Sequence, residues 1–139
     1  MSEDARGEFR YVTEVPVRFR DIDPMDHVNN AIYVTYVEQA RAEYYEDVIG
    51  LTLGEADTVL AHLEVDYADP IELGDVVEVR MRTDELGQSS IPMTYELRVG
   101  GAVVATAETV QVTFDRETGE AVPIPDDWRE RIAAFEGRA

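Results

Sequence analysis

The order of its apolar segments limits what this chain can fold into. One helical segment is followed by four strand-like runs, and only short turns separate these runs. Residues 30–49 place large apolar side chains at steps of three and four, which is the period of a helix. Residues 59–67, 76–85 and 91–99 alternate apolar and polar side chains, and residues 102–114 do so less regularly. Period-two alternation is typical of an antiparallel sheet with one covered face. The long helix is the element that is available to cover that face.

Two further elements complete the expected architecture. Residues 9–20 alternate in part and predict a first strand, and Pro16 places this strand at an edge of the sheet because proline has no N–H to donate. Residues 126–136 predict a short C-terminal helix. We therefore expect residues 1–139 to form one α+β domain, with an antiparallel five-stranded sheet wrapped around one long helix and a short helix at the end.

The pattern of the long helix predicts where it begins and ends. Asn29 or Asn30 is the expected N-cap, because the side chains of both accept hydrogen bonds from free N–H groups of the first turn. Gly50 is the expected stop. The apolar stripe is broad enough to be buried on more than one side, and it includes Tyr33, Val37, Ala40, Tyr44 and Val48.

The charge balance excludes several classes of function. The chain has 30 acidic residues against 12 basic ones, a net charge of -18, and its basic residues are all arginine. A surface this negative opposes binding to nucleic acid or to anionic membranes, so neither is expected as a partner. Cysteine is absent, which rules out disulfides, thiolate metal sites and a cysteine nucleophile. No basic and apolar leader or membrane span is apparent, and we expect a cytoplasmic protein.

The loss of lysine together with an excess of carboxylates also suggests adaptation to high salt, because concentrated ions screen the repulsion between carboxylates. The alternative is an acidic protein from an arginine-rich proteome. If the salt interpretation is correct, the melting temperature falls when the protein is diluted from molar KCl into low salt. A melting temperature that does not change over this range, followed by circular dichroism, would favour the alternative.

The segment between the first strand and the long helix carries a dense polar motif. In order, it contains Arg18, Asp21-x-Asp23, His27-Val28-Asn29-Asn30, Tyr33-x-x-Tyr36 and Glu38-x-Ala40-Arg41. This arrangement resembles the signature of hotdog-fold acyl-CoA thioesterases of the 4-hydroxybenzoyl-CoA thioesterase type. Weaker similarities continue to about residue 125, so the resemblance covers most of the chain. The order of strands and helix derived above agrees with a hotdog fold independently of the motif.

The resemblance implies an acyl-CoA substrate, a homodimer or homotetramer with its site between subunits, and no cofactor or metal. Asp23 is implied as the nucleophile or as the base that activates water, and the N–H near Asn30 as the donor to the developing oxyanion. Both roles of Asp23 stay open. The other implied catalytic residues are His27 and Glu38, although Glu38 could instead pair with Arg41. The implied substrate-binding residues are Asn29, Tyr33, Ser89 and Ser90.

One position departs from the family pattern. The family usually has glycine immediately before the His-Val-Asn-Asn run, and this chain has Asp26 there. Glycine at such a position permits a left-handed backbone or the close approach of a ligand. Aspartate is among the residues that tolerate a left-handed conformation, and it adds a carboxylate beside the expected site.

Two functions other than hydrolysis of acyl-CoA are compatible with the same residues. A thioesterase that acts on acyl carrier protein is one alternative, which repulsion between two acidic proteins disfavours. A non-catalytic acyl-CoA-binding module is another. A calcium loop starting at Asp21 fails because the positions that need glycine and glutamate hold Asp26 and Ile32. Without lysine, the CoA phosphates need arginines, hydroxyls or backbone N–H groups as donors.

Overall fold

A computed structural model describes residues 9–138 of the chain, which form an antiparallel sheet and two helices. The strands are β1 (Tyr11–Pro16), β2 (Thr58–Tyr67), β3 (Val76–Thr83), β4 (Ser90–Val99) and β5 (Ala102–Thr113). The helices are α1, which runs from Ile32–Tyr44 into a π-helical turn at Tyr45–Ile49, and α2 (Asp126–Glu136). The predicted α+β class and the five-stranded sheet with one long and one short helix are confirmed.

The five strands lie in the order β1-β3-β4-β5-β2, and all neighbours are antiparallel. Both edges of the sheet are therefore strands that connect to α1, one before the helix and one after it. Pro16 pairs with Val76 at the end of β1, so the edge position predicted from the proline is correct. The helix α1 packs against β1 and β3.

The core lies on the face of the sheet that α1 covers. Burial alternates along β3 and β4, as the period-two pattern predicts. The fully buried hydrophobic residues of these two strands are Val77, Val79, Met81, Ile91, Met93, Tyr95 and Leu97, and Thr83 at the end of β3 is buried with them. From α1 the core receives Tyr33, Tyr36, Val37, Ala40 and Tyr44.

The start of α1 differs from the prediction. The helix begins at Ile32, and Ala31 occupies the N-cap position without any side-chain cap. The Asn29 carboxamide instead accepts the Ala31 N–H at 2.9 Å, within a turn that precedes the helix. The residue type was correct for accepting an N–H near the helix end, but the N-cap lies one position after Asn30 and two after Asn29. The predicted stop at Gly50 is confirmed, with φ at 91°.

The short helix α2 is held to the sheet by a buried carboxylate at its last residue. Glu136 Oε2 accepts the Tyr44 hydroxyl at 2.7 Å and the Thr83 N–H at 2.9 Å. Trp128 and Ile132 bury their side chains from the same helix. Of the helices formed by residues 9–138, none is long and apolar enough to cross a membrane.

Candidate active site

The loop between β1 and α1 folds back on itself and sets Asp23 beside His27. A bridge pairs Ile22 with Val28 in antiparallel fashion. The Asp23 N–H donates to the His27 carbonyl at 2.8 Å, and the Asp26 N–H donates to the Asp23 carbonyl at 2.9 Å. These bonds form within a few residues of one another, so the loop has a defined shape before it meets the rest of the fold.

The carboxylate of Asp23 is held by one oxygen only. Its Oδ1 accepts the Met25 N–H at 2.9 Å and lies 3.4 Å from the His27 backbone nitrogen. Its Oδ2 accepts no hydrogen bond from any residue that the structure describes. The side chain is half-buried. An oriented carboxylate with a free oxygen is suited either to attack a carbonyl or to take a proton from water.

The start of α1 lies next to this loop. The Asn29 N–H donates to the Asp21 carbonyl at 2.9 Å, and the Ile32 N–H donates to the Asn29 carbonyl at 2.8 Å. The Asn30 N–H, between them, has no acceptor within residues 9–138. A free N–H at the positive end of a helix dipole is suited to an oxyanion.

Asp21 joins the loop to the body of the helix. Its buried Oδ2 accepts the Arg18 N–H at 2.9 Å and the Tyr36 hydroxyl at 2.8 Å. Burial opposes the ionisation of Asp21, but the hydrogen bonds from Arg18 and Tyr36 outweigh it and lower the pKa of this carboxyl below its usual value. Burial and the neighbouring carboxylate raise the pKa of Tyr36. These contacts give Asp21 a structural role.

The end of β2 meets the same helix terminus. The Tyr67 hydroxyl donates to the Asn30 carbonyl at 2.8 Å. The Tyr33 and Tyr67 rings meet edge to face with centroids 4.8 Å apart, and the Tyr33 hydroxyl donates to the Asp69 carbonyl at 3.1 Å. Tyr33 and Tyr67 therefore form one wall beside the free Asn30 N–H.

Asp26 has a left-handed backbone, with φ at 67°. It is the only non-glycine residue with positive φ in the described part of the chain. The conformation is the one that a glycine would adopt without cost, so the departure from the family pattern changes the side chain and keeps the turn.

Replacing Asp26 by glycine is expected to stabilise the fold by about 0.5–1 kcal/mol, because the left-handed conformation no longer strains a side chain. Urea unfolding followed by circular dichroism measures the change. Asp66→Gly, near the end of β2 and at negative φ, is the matched control and should lose about 0.5–1 kcal/mol. Equal losses in both variants would show that Asp26 carries no backbone strain.

The remaining residues predicted for the site are spread over the fold. The His27 side chain lies on the loop, half-buried, and makes no hydrogen bond within residues 9–138. Glu38 lies further along α1, with its side chain 63% exposed and Oε2 3.9 Å from Arg41 Nη2. Ser89 and Ser90 lie at the start of β4, and their backbone carbonyls bond Thr113 and Gly87 and not the Asp23 loop. No group of acidic or histidine side chains that could hold a metal forms among the residues described.

Sequence reasoning did not predict the contacts that Tyr36 and Tyr67 make with the loop and the start of α1. Tyr36 was expected in the core and lies there, and Tyr67 was expected in a strand, but nothing in their spacing indicates these partners. Further along α1, Arg41 lies within 3.9 Å of Glu38, the pairing that was considered, but the burial of its side chain was not predicted. The signal that was available for Arg41 is its place one turn after Val37, on the apolar stripe of α1.

The chain matches the thioesterase-like superfamily over residues 17–132. Among solved structures, it is similar to a thioesterase from Thermus thermophilus that was crystallised with coenzyme A and Zn. The two share 42% identity with a TM-score of 0.87, over 95% of this chain and 98% of the other. It is also similar to a predicted thioesterase from Bacillus stearothermophilus, at 28% identity and a TM-score of 0.83, over 90% of this chain and 95% of the other.

Two curated relatives have names that specify a CoA thioester. The long-chain acyl-CoA thioesterase FadM of Escherichia coli is 29% identical over 86% of this chain and 95% of its own length. The 1,4-dihydroxy-2-naphthoyl-CoA hydrolase of Synechococcus elongatus is 27% identical over 81% of this chain and 89% of its own length.

Proposed function

The chain belongs to the thioesterase-like superfamily and is a thioester hydrolase, and from this premise we propose that it cleaves acyl-CoA to a free acid and CoA at the Asp23 loop. The names of its relatives support the CoA thioester as substrate. Asp23 is proposed as the base or the nucleophile, and the N-terminus of α1 as the oxyanion donor.

The observation that carries the proposal is that one short segment holds both a carboxylate oxygen and a backbone N–H without hydrogen-bond partners. Asp23 has an unbonded carboxylate oxygen, while Met25 holds the other oxygen at 2.9 Å. The Asn30 N–H lies just before the first turn of α1 and has no acceptor among the residues described. Thioester hydrolysis needs both a group that delivers an oxygen nucleophile and a donor for the negative charge that develops on the carbonyl.

Asp23 can promote the hydrolysis by either of two routes. As a base, Asp23 takes a proton from water while the water oxygen attacks the carbonyl carbon. The oxyanion then collapses, expels the CoA thiolate, and the proton passes to the sulfur. As a nucleophile, Asp23 attacks the same carbon, expels the CoA thiolate and forms a mixed anhydride. Water then hydrolyses the anhydride, which releases the free acid and restores the Asp23 carboxylate, and the proton from water passes to the thiolate. In both routes the Asn30 N–H and the helix dipole stabilise the oxyanion. His27, whose carbonyl accepts the Asp23 N–H, is proposed to orient water.

The CoA phosphates need positive donors, and arginine is the only basic residue type apart from histidine in this chain. Arg18 and Arg20 lie on the loop beside Asp23 and are exposed. Arg18 also bonds the Asp21 carboxylate at 3.3 Å, whereas Arg20 has no side-chain partner within residues 9–138. We assign the phosphates to these local donors, because the overall field of the protein repels them.

A second copy of the chain is proposed to complete the site as a homodimer or homotetramer. The strand β2 lies at the edge of the sheet and exposes the apolar side chains Val59, Leu60 and Tyr67 at 46%, 42% and 49%. An exposed apolar edge strand is suited to pairing across a two-fold axis. The predicted substrate residues Ser89 and Ser90 lie away from the Asp23 loop of their own subunit, so they are proposed to act on the site of the partner subunit. Light scattering after size-exclusion chromatography measures the oligomeric state.

Release of free CoA thiol from acetyl-, octanoyl-, palmitoyl- and benzoyl-CoA, followed spectroscopically at low and molar salt, tests the function. We expect hydrolysis of at least one of these substrates. The same acyl groups on acyl carrier protein provide the comparison. Preference for the carrier protein would favour the alternative substrate, and tight acyl-CoA binding without thiol release would favour the non-catalytic module.

A further inference from the structure

A cleft opens beside α1, further along the chain than the Asp23 loop at the start of this helix. Its volume is about 240 Å³. It is lined by Glu38, Arg41, Leu53, Thr58, Leu60 and Gln111. Two of these are polar yet almost fully buried: Arg41 is 5% exposed and Gln111 is 3% exposed. The cleft therefore has a polar floor and apolar walls.

The floor presents hydrogen-bond donors that have no acceptor. Arg41 Nε and Gln111 Nε2 are buried and make no hydrogen bond within residues 9–138. The acid beside them is Glu38, whose Oε2 lies 3.9 Å from Arg41 Nη2 on a side chain that is 63% exposed. An ion pair with this separation and this exposure contributes little to the stability of the fold. The unsatisfied Arg41 Nε and Gln111 Nε2 donors are costly for the fold, and both would be satisfied by a ligand that carries an acceptor.

The seam between α1 and β2 connects this cleft to the helix terminus. Tyr67, at the end of β2, bonds Asn30 at the start of α1, and Leu60, near the start of β2, lines the cleft. Strand and helix therefore run in opposite directions along the seam. Arg41 lies nine residues after Ile32, about 14 Å along the helix axis at the rise of an α-helix.

We propose that the cleft holds the far end of the acyl group, and that Arg41 and Gln111 select acyl groups that end in a carboxylate. The inference rests on the proposed function, since it takes the thioester carbonyl to lie at the Asn30 N–H. Leu53 and Leu60 are the walls along which methylene groups pack. The guanidinium fork binds a carboxylate through two parallel hydrogen bonds, and the Gln111 amide adds a third.

Matched pairs of substrates test the proposal. Adipoyl-, suberoyl- and sebacoyl-CoA carry a terminal carboxylate, and hexanoyl-, octanoyl- and decanoyl-CoA are their unsubstituted equivalents. In at least one pair the wild-type protein is expected to favour the carboxylate by about tenfold or more in kcat/KM, mostly through KM. Arg41→Met is expected to lose this preference, and Gln111→Leu to lose part of it.

Arg80→Met is the matched control. Arg80 pairs with Glu78 at 3.1 Å on β3 and does not line the cleft, so its replacement should keep the preference. Equal rates within every pair, or an unchanged preference in Arg41→Met, would overturn the inference and leave the thioesterase assignment in place. If none of the six substrates is hydrolysed while acetyl-, palmitoyl- or benzoyl-CoA is, this inference alone is overturned. Absence of hydrolysis for every acyl-CoA tested would overturn the proposed function and this inference with it.

Thermal unfolding separates selection from a structural role. Because the guanidinium is buried with an unsatisfied donor, Arg41→Met is expected to raise the melting temperature of the ligand-free protein by about 3–5 °C. A lower melting temperature in Arg41→Met would mean that the fold itself satisfies the charge, and this would overturn the inference. We therefore expect Arg41→Met to be more stable than the wild type and less selective for a terminal carboxylate.

Discussion

Replacing Asp23 by asparagine is expected to lower kcat for acyl-CoA hydrolysis about 10³-fold while KM changes little. The asparagine keeps an oxygen that can accept the Met25 N–H, now 2.9 Å from Asp23 Oδ1, so the loop retains its shape. What the variant loses is the negative charge on the free oxygen. General-base or nucleophilic assistance by one group accounts for about 10²–10⁴ in rate, and the neutral amide supplies neither. Steady-state thiol release measures kcat and KM, and circular dichroism verifies the fold.

Asp75→Asn is the matched control for this substitution. Asp75 also accepts a backbone N–H within its own turn, from Glu72 at 2.9 Å, but it lies outside the Asp23 loop. Its replacement should leave kcat within about twofold of the wild type, as for surface turns generally. If Asp23→Asn retained more than about a tenth of the wild-type rate, the carboxylate would have no direct part in the reaction.

Replacing Asp21 by alanine is expected to cost about 3 kcal/mol of unfolding free energy. The buried Tyr36 hydroxyl and the Arg18 N–H would both lose their acceptor, at 2.8 and 2.9 Å in the native protein. Removing one partner from a buried, charged hydrogen-bond network leaves the others unsatisfied, which is costly against a total stability of about 5–15 kcal/mol. Urea unfolding measures the loss.

A double-mutant cycle identifies the source of that loss. Because Tyr36→Phe removes the hydroxyl that Asp21→Ala leaves without a partner, the double variant should lose less than the sum of the two single losses. Asp115→Ala is the control, since Asp115 accepts the Glu117 N–H at 2.7 Å in an exposed turn. Its loss should stay below about 1 kcal/mol, and additive losses for Asp21 and Tyr36 would rule out the coupling.

The pH dependence of stability follows from the same carboxylate. Hydrogen bonds lower the pKa of folded Asp21 below its usual value of 3.8. The unfolded state therefore binds the proton more readily, and the contribution of Asp21 is fully present above that usual value. It is lost as the pH falls through the lower pKa of the folded state. We expect the difference in stability between wild type and Asp21→Ala to be constant near neutral pH and to shrink in acid. A difference that grew in acid would reverse the assigned direction.

The strands and most of the loop that carries the candidate site were predictable because their signals are local. Alternation along residues 76–85 and 91–99 reports which side chains face the covered side of the sheet, and their burial agrees. Pro16 indicated an edge strand for the same reason, since a missing N–H is a property of one residue. The start of α1 was predicted one or two residues too early, because Asn29 serves a turn before the helix and the pattern does not distinguish that role from a cap.

The sequence by itself determined the alternating faces, the helix stripe and the grouping of Asp23, His27 and Asn30, because these depend on residues within a few positions of one another. Only the tertiary structure decided which distant groups meet. It placed Arg41 beside Gln111 in one cleft, 70 positions away in the chain, and it set Tyr67 against Asn30. Such contacts depend on how the sheet and the helix pack together, and that packing is a property of the whole chain. The buried guanidinium with its unsatisfied donor is visible only once that packing is known.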